Sequence, residues 1–198
     1  MTKQDASDSV SLGGGLVLRS PGMRDLDRYL WFTNELANEK KANSELAIVS
    51  PDQEISKAEA KRQLGTIVAS IKSEDLVFVG AFDGTALVGT CEIHRSRALE
   101  MRHTGLLAIA LLKGYRGQGL GHVLTKEALA RGKALGMTLV ELHVFSSNAP
   151  AMKLYEKEGF RLVGKIPKMI WKNGRYIDDV IMYADLGGND KPKGQLPH

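Results

Sequence analysis

The chain has 198 residues, of which 43% are hydrophobic and 25% are charged, values typical of one soluble globular domain. Its net charge of +4 is spread along the sequence without a block of five like charges, which argues against a basic nucleic-acid-binding arm. The single cysteine, Cys91, excludes an intrachain disulfide and a cysteine-cluster zinc site, and no apolar run approaches the roughly 20 residues that cross a bilayer.

We therefore expect a cytoplasmic protein with no metal and no membrane contact, built around one folded unit at residues 15–186. Residues 1–14 are polar and end in consecutive glycines, so they are predicted to be a flexible leader. Residues 187–198 are almost devoid of apolar side chains and are predicted to be a disordered tail.

Hydrophobic spacing predicts a strand, two helices and three strands in the first half of the unit. In chain order they are strand 16–19, helix 25–38, helix 57–72, and strands 76–82, 86–94 and 105–112. Ser56, with Glu59 three residues later, is a start signal for the second helix. The strand at 105–112 is almost wholly apolar, so we place it in the centre of a sheet.

The second half begins with a helix and alternates until a final hairpin. Its elements are helix 119–135, strand 138–145, helix 150–158, and extended segments 160–166, 168–171 and 175–183. Hairpins mixed with strand–helix–strand crossovers predict an α/β (α+β) fold. Its central sheet is expected to be mixed and mostly antiparallel, with about seven strands and helices on both faces.

The segment 109–121 carries the clearest chemical signal. A buried strand ends, and Gly117, Gly119 and Gly121 lead into an amphipathic helix. Glycines let backbone N–H groups approach a ligand, and a helix start adds unpaired donors and partial positive charge, which suits a phosphate or pyrophosphate. Arg116 adds a charged donor at the rim. A glycine-rich turn without a ligand is the alternative.

Spacing excludes two other nucleotide-binding loops. A G-x-G-x-x-G fingerprint that starts at Gly117 would need a glycine at His122, and one that starts at Gly119 would need a glycine at Leu124. A nucleoside-triphosphate P-loop ends in G-K-[S/T], whereas Gly121 is followed by His122.

Arg116-x-x-Gly119-x-Gly121 resembles the [Q/R]-x-x-G-x-[G/A] pyrophosphate loop of the GNAT superfamily of N-acetyltransferases. Residues 148–160, N-A-P-A-M-K-L-Y-E-K-E-G-F, are similar to the N-x-x-A-x-x-L-Y-x-x-x-G-F block of that superfamily. The resemblance spans residues 16–186. The chain departs from the pattern at residues 112–114, where acidic residues and proline are common.

The resemblance implies acetyl-coenzyme A as co-substrate and assigns roles to individual residues. The backbone N–H groups expected to hold the pyrophosphate are those of Arg116, Gly117, Gln118, Gly119, Leu120 and Gly121. The strand end expected to pair with the pantetheine arm is Ile109, Ala110 and Leu111. Asn148 would touch the pantetheine, and Tyr155 would be the general acid for the leaving thiolate, although core packing also accounts for Tyr155.

Acetyl transfer needs a neutral amine, and an alkylamine is less than about 0.1% neutral at pH 7, so a general base helps. His143 occupies a place that resembles a base position in the ribosomal-protein N-terminal branch, and Glu92 occupies one that resembles the base position of other branches. His103, just before the central strand, is a third candidate. We favour His143 and Glu92, although each also fits a solvated strand residue.

The C-terminal hairpin resembles a bacterial and archaeal branch that acetylates small amines or free amino acids. Asp178 or Asp179 would hold a cationic acceptor there, or would be surface acids. We therefore expect an acyltransferase that moves an acetyl group to a small primary amine or amino acid by direct attack. A protein N-terminal acetyltransferase of the ribosomal-protein type and a non-catalytic acyl-coenzyme A sensor are alternatives. Exposed edges of the last strands favour a homodimer.

Overall fold

The computed structural model describes residues 9–43 and 53–187. The strands are β1 Val10–Gly13, β2 Leu16–Arg19, β3 Leu76–Asp83, β4 Ala86–Arg95, β5 Thr104–Leu111, β6 Leu139–Phe145, β7 Arg161–Lys172 and β8 Arg175–Asp185. The helices are α1 Leu26–Ala42, α2 Lys57–Lys72, α3 Leu120–Ala134 and α4 Ala149–Lys157. Short 3-10 turns lie at Met23–Asp25, Leu99–Met101 and Lys113–Tyr115.

The strands form a single sheet in the order β1-β2-β3-β4-β5-β6-β8-β7. Six of the seven neighbouring pairs are antiparallel, and only β5 and β6 run parallel. The predicted fold, a mixed and mostly antiparallel sheet with β5 in its interior, is confirmed.

Strand β1 is the element that the sequence analysis missed. Residues 10–13 were assigned to the leader, but Val10 pairs with Leu18 and Ser11 with Val17 on β2. All four β1 residues are exposed, so the alternation of buried and exposed side chains that predicts a strand is absent from them. The glycines that suggested flexibility instead make the turn, because Gly13, Gly14 and Gly15 all adopt the left-handed backbone conformation. Residues 1–8 and 188–198, the rest of the expected leader and most of the tail, lie outside the described residues.

Strand β7 is continuous where two segments were predicted. Pro167 lies between those two segments, but β7 is the last strand of the sheet, and a proline on an edge strand costs no ladder hydrogen bond when it sits at a bulge. The register indeed shifts between Ile166 and Ile170, and Lys168 has a positive φ of 57°.

The helices cover both faces of the sheet, as predicted. The larger buried cluster joins α3 and α4 to one face through residues such as Leu124, Tyr155 and Cys91. A smaller cluster joins Phe32 and Leu36 of α1 to other sheet residues, and α2 packs on α1 and β3. Within the described ranges, no helix combines the length and apolar character needed to cross a membrane.

The central sheet opens into a wedge between β5 and β6. The two strands pair from Thr104 with Leu139 to Leu107 with Leu142, yet β5 continues to Leu111 and β6 to Phe145. On their outer sides the same segments stay paired, β5 with β4 and β6 with β8. The separation therefore leaves the β6-facing edge of residues 108–111 without a strand neighbour in the described sheet, next to the start of α3.

Candidate active site

One side of the wedge is the end of β5, where the sequence analysis expected the pantetheine arm. Ile109 and Leu111 pack against the α3 and α4 cluster, whereas Ala108 is exposed and Ala110 contacts the α1 cluster. A strand edge of this kind offers backbone N–H and C=O groups to an extended ligand.

The glycine turn, residues 112–119 between β5 and α3, leads into a helix start whose first N–H groups have no intrahelical acceptor. Gly117 and Gly119 have φ values of 73° and 84°, a region that side chains rarely adopt. Gly119 is the N-cap of α3, and the first hydrogen bond that closes a helical turn runs from Val123 N–H to the Gly119 carbonyl at 3.3 Å. The N–H groups of the first helical residues therefore have no intrahelical acceptor and suit an anion.

Gly121 differs from the other two glycines, because close packing rather than backbone conformation requires it. A Cβ at this position would lie 3.1 Å from Leu154 Cδ2 of α4 and 3.4 Å from Leu111 Cδ1 of β5. The missing side chain lets α3 approach both the wedge and α4.

The side chain of Arg116 is partly buried and hydrogen-bonds to the protein itself. Its Nε donates to the Leu111 carbonyl at 2.8 Å, and its Nη2 donates to the Glu39 carboxylate of α1. Its backbone N–H donates to the Lys113 carbonyl at 3.3 Å. Gln118 also folds back, since its side-chain amide donates to the Gly114 carbonyl at 2.6 Å. The side chains of this loop thus brace the loop itself, and an anion would meet mainly the main chain.

Helix α4 carries Asn148 and Tyr155 towards the same region. The Asn148 side chain accepts from Ala151 N–H at 3.3 Å and so caps α4, a role that the sequence analysis did not assign. Tyr155 is only 6% exposed and packs on Phe160 with ring centroids 5.7 Å apart. Burial, with a smaller contribution from nearby Cys91, raises the pKa of Tyr155 above its usual value, so its hydroxyl stays protonated at neutral pH.

His143 on β6 is bound to Asp179 on β8. The imidazole Nδ1 lies 2.5 Å from Asp179 Oδ2. The Asp179 side chain is 8% exposed and the imidazole 44%, so the carboxylate is buried behind a ring that reaches solvent. Asp179 is therefore not a surface acid, because its carboxylate is buried and contacts an imidazole, while its role at an acceptor stays a prediction.

Glu92 on β4 lies on the same face of the sheet as His143. Glu92 pairs in register with Ala108, and Leu106 pairs with Glu141, so the face shared by alternate residues includes both candidate bases. Glu92 is partly buried and lies 3.1 Å from His94 Nε2. Helix α1 packs on β4, and burial and, to a smaller extent, the Glu92 charge raise the pKa of Tyr29 on α1 to about 12.

Two other candidates lie away from the wedge or are engaged in the fold. His103 precedes the opposite end of β5, where its carbonyl accepts from Thr138 N–H at 2.8 Å. Asp178 accepts from Lys168 N–H at 3.0 Å and pairs with Lys165 at 3.0 Å. The hydrogen bond from Lys168 is the largest of the causes that lower the pKa of Asp178. Asp178 therefore holds the β7 bulge, and its partly exposed side chain fits the surface-acid alternative, while its place at an acceptor stays a prediction.

Sequence reasoning missed two residues that contact the helix entrance, by which we mean the turn from Lys113 and the first turn of α3 up to His122. Glu39 binds the glycine turn from 77 positions away, and Glu158 at the end of α4 accepts from His122 in the first turn of α3. Neither belongs to a local pattern, so only the fold brings them there. Within the described ranges, no group of three or more His, Cys, Asp or Glu side chains is arranged to hold a metal ion.

Comparison with known proteins agrees with this geometry. Residues 40–160 match the model of the acetyltransferase (GNAT) family. The L-amino acid N-acetyltransferase AaaT of Escherichia coli is 30% identical over 105 residues, which are 52% of this chain and 64% of that protein. The chain matches only 41 to 64% of the length of its first curated relatives.

Solved structures extend the likeness to nearly the whole fold. A GNAT acetyltransferase from Streptococcus pneumoniae superposes with a TM-score of 0.76 at 24% identity, covering 87% of this chain and 99% of that one. A phosphinothricin acetyltransferase from Sinorhizobium meliloti, solved with acetyl-coenzyme A, gives 0.73 at 24% identity, covering 90% and 94%. The chain belongs to the acetyltransferase (GNAT) family, and the resemblance drawn from its sequence is confirmed.

Proposed function

We propose that this protein is an N-acetyltransferase that moves the acetyl group of acetyl-coenzyme A to a small primary amine or amino acid. The observation that carries the proposal is the wedge between β5 and β6, which opens beside a helix start rich in unpaired N–H groups and faces the His143–Asp179 pair. The amino acid acetyltransferase among the relatives supports this acceptor class.

The described residues fit acetyl-coenzyme A in three places. The main chain of 117–121 would bind its diphosphate, because Gly117 and Gly119 adopt positive φ angles and α3 begins there and contributes its dipole. The edge at residues 108–111 would pair with the amides of the extended arm, except at the Leu111 carbonyl, which already accepts from Arg116 Nε. Asn148, at the start of α4, would lie beside that arm. When bound, the group supplies an activated thioester.

His143 would be the general base. Asp179 would accept a hydrogen bond from Nδ1–H, so Nε2 is the nitrogen left to take a proton from the ammonium form of the acceptor, directly or through water. The buried carboxylate also stabilises the imidazolium that forms. Glu92, on the same face, would attract the cationic acceptor and contribute to its deprotonation.

Tyr155 would stabilise the departing sulfur. Its pKa is raised above the usual value near 10, whereas a thiol has a pKa of about 8.5. This order favours a hydrogen bond from the Tyr155 hydroxyl to the sulfur over complete transfer of its proton. Such a donor, already protonated in a dry site, lowers the energy of developing negative charge without reorganisation.

We further propose that two copies associate through β7 and the hairpin that it forms with β8. Met169, Trp171 and Tyr176 are each at least 60% exposed there, and exposed apolar residues at a sheet edge favour a partner. Charged residues on β7 are all cationic, so two copies would repel if the strands paired edge to edge. Packing through the apolar side chains is therefore expected, and Met169→Glu should convert a dimer to a monomer in light scattering.

An amine panel tests the enzymatic proposal. Release of free thiol from acetyl-coenzyme A is followed with amino acids, diamines and peptide N-termini, and the acetylated product is identified by mass spectrometry. Burial raises the pKa of the Cys91 thiol, so this residue should add little to the thiol signal. Turnover of a small amine supports the proposal, turnover of peptides alone favours the protein-directed alternative, and binding without turnover favours a sensor.

A further inference from the structure

The carboxylate of Glu39 reaches from the last turn of α1 into the beginning of the glycine turn. Its Oε1 accepts from Lys113 N–H at 2.7 Å, and its Oε2 accepts from Arg116 Nη2. The Glu39 side chain is 18% exposed and that of Arg116 is 30% exposed, so the contact between the carboxylate and the guanidinium is partly buried. A single carboxylate thus fixes a main-chain group and a side chain of the same turn.

Arg116 connects Glu39 to the end of β5, which is one side of the wedge. Its Nε donates to the carbonyl of Leu111, the last residue of β5, at 2.8 Å. The Arg116 guanidinium therefore bridges the two ends of the segment 111–116, and it also contacts Glu39 on α1. Tyr115 anchors the same turn from another direction, since its hydroxyl donates to Asp83 at 2.8 Å.

We propose that Glu39 is a positioning residue that fixes the helix entrance for the diphosphate. This inference rests on the function proposed above. Glu39 neutralises the charge of Arg116 and accepts from its Nη2, while the Leu111 carbonyl accepts from its Nε, so two of the three guanidinium nitrogens are engaged and we expect main-chain groups of 117–121 to be the main contacts of the diphosphate. Removing the Glu39 carboxylate leaves the Lys113 N–H and the Arg116 charge without this partner, and the turn loses its hydrogen bonds to α1.

The test compares Glu39→Ala and Glu39→Gln with the unchanged protein by calorimetric titration with coenzyme A. Loss of both contacts should raise the Kd about tenfold in Glu39→Ala, and less in Glu39→Gln, which keeps an acceptor for Lys113 N–H. Glu35→Gln, the same change one turn earlier on α1, should leave the Kd within about twofold. The KM for the amine should change little in all three variants.

Arg116→Gln separates the two contacts. If Glu39 acts through Arg116, the effects of Glu39→Gln and Arg116→Gln on the Kd are not additive in the double variant. Thermal unfolding without ligand verifies that each variant is folded before it is titrated.

Three outcomes would overturn the inference alone. The first is an unchanged Kd for coenzyme A in Glu39→Ala. The second is a rise in the KM for the amine in Glu39→Ala that equals the rise in the Kd for coenzyme A. The third is tighter binding of coenzyme A by Glu39→Gln, which would mean that Glu39 withholds Arg116 from the diphosphate. An unchanged protein that ignores coenzyme A would overturn the proposed function, and this inference with it.

Discussion

His143 Nδ1 and Asp179 Oδ2 lie 2.5 Å apart, between β6 and β8. The two strands are neighbours in the sheet although 36 positions separate the residues, and the buried carboxylate leaves the opposite nitrogen of the ring for chemistry. The contact with Asp179 fixes the orientation of His143, the candidate base on β6.

His143→Ala should lower kcat by roughly 100-fold, because a positioned general base typically contributes at least that much. Asp179→Asn should lower kcat as well, but by no more than His143→Ala does, since the imidazole remains but loses its orienting acceptor. Glu141→Gln, two residues earlier on the same face of β6, is the matched control and should retain activity. Activity of His143→Ala should rise with pH as the neutral fraction of the amine grows. A wild-type rate in His143→Ala would remove this residue from the mechanism.

Gly119→Ala should weaken binding of coenzyme A. Its φ of 84° disfavours any side chain by roughly 1–2 kcal/mol, although no atom lies within 4 Å of the new Cβ. The turn would relax and misdirect its N–H groups. Gly114→Ala, in the same turn with open space and no positive φ, is the control for a simple loss of glycine. Calorimetry should give a raised Kd only for Gly119→Ala, and equal Kd values would contradict the main-chain cradle.

Tyr155→Phe should lower kcat by about tenfold or more while the Kd for coenzyme A stays nearly constant, because the lost group acts on the departing sulfur. The phenyl ring preserves the packing on Phe160, so thermal stability should change little. Tyr176→Phe on the exposed hairpin serves as control. A change in stability without any change in kcat would reduce Tyr155 to a core residue.

Asp25 should make stability depend on acid pH. Burial alone would raise its pKa, but hydrogen bonds from Arg19, Gly22 N–H and Arg28 outweigh burial and lower it from 3.8 to about 2. Because the folded value is the lower one, the stabilisation is complete above pH 5. It is lost as the pH falls from about 4 through 2, and it amounts to about 2 kcal/mol.

Denaturant unfolding measures this contribution. Asp25→Asn should be destabilised by about 2 kcal/mol or more at pH 7, since it leaves two arginines without their buried partner, and the difference from the unchanged protein should shrink towards pH 2. Asp27→Asn alters an exposed ion pair with Lys57 and should cost less than about 1 kcal/mol. A difference that grows on acidification would refute the assignment.

Local sequence signals predicted the parts of the site that depend on the backbone. Gly117 and Gly119 follow from a short-range glycine pattern, and the almost wholly apolar run of β5 placed it inside the sheet. Partners that meet through the sheet could not be read this way. Asp179 was noticed, but its bond to His143 requires the β6–β8 register, and Glu39 reaches Arg116 only because α1 ends beside the turn.

The same limit explains the two errors in the strands. Pro167 interrupts a pattern, yet an edge strand tolerates it at a bulge, and only the strand order reveals that β7 is an edge. Strand β1 has no buried face, so it gives no periodic signal, and its pairing with β2 is visible only in three dimensions.

Hydrogen exchange of the unchanged protein with and without coenzyme A tests the central claim most directly. The account predicts slower exchange of backbone amides at 108–111 and 117–122 and at the start of α4, with little change at the β7–β8 hairpin. Unaltered exchange at the first two segments, or protection concentrated elsewhere, would contradict it.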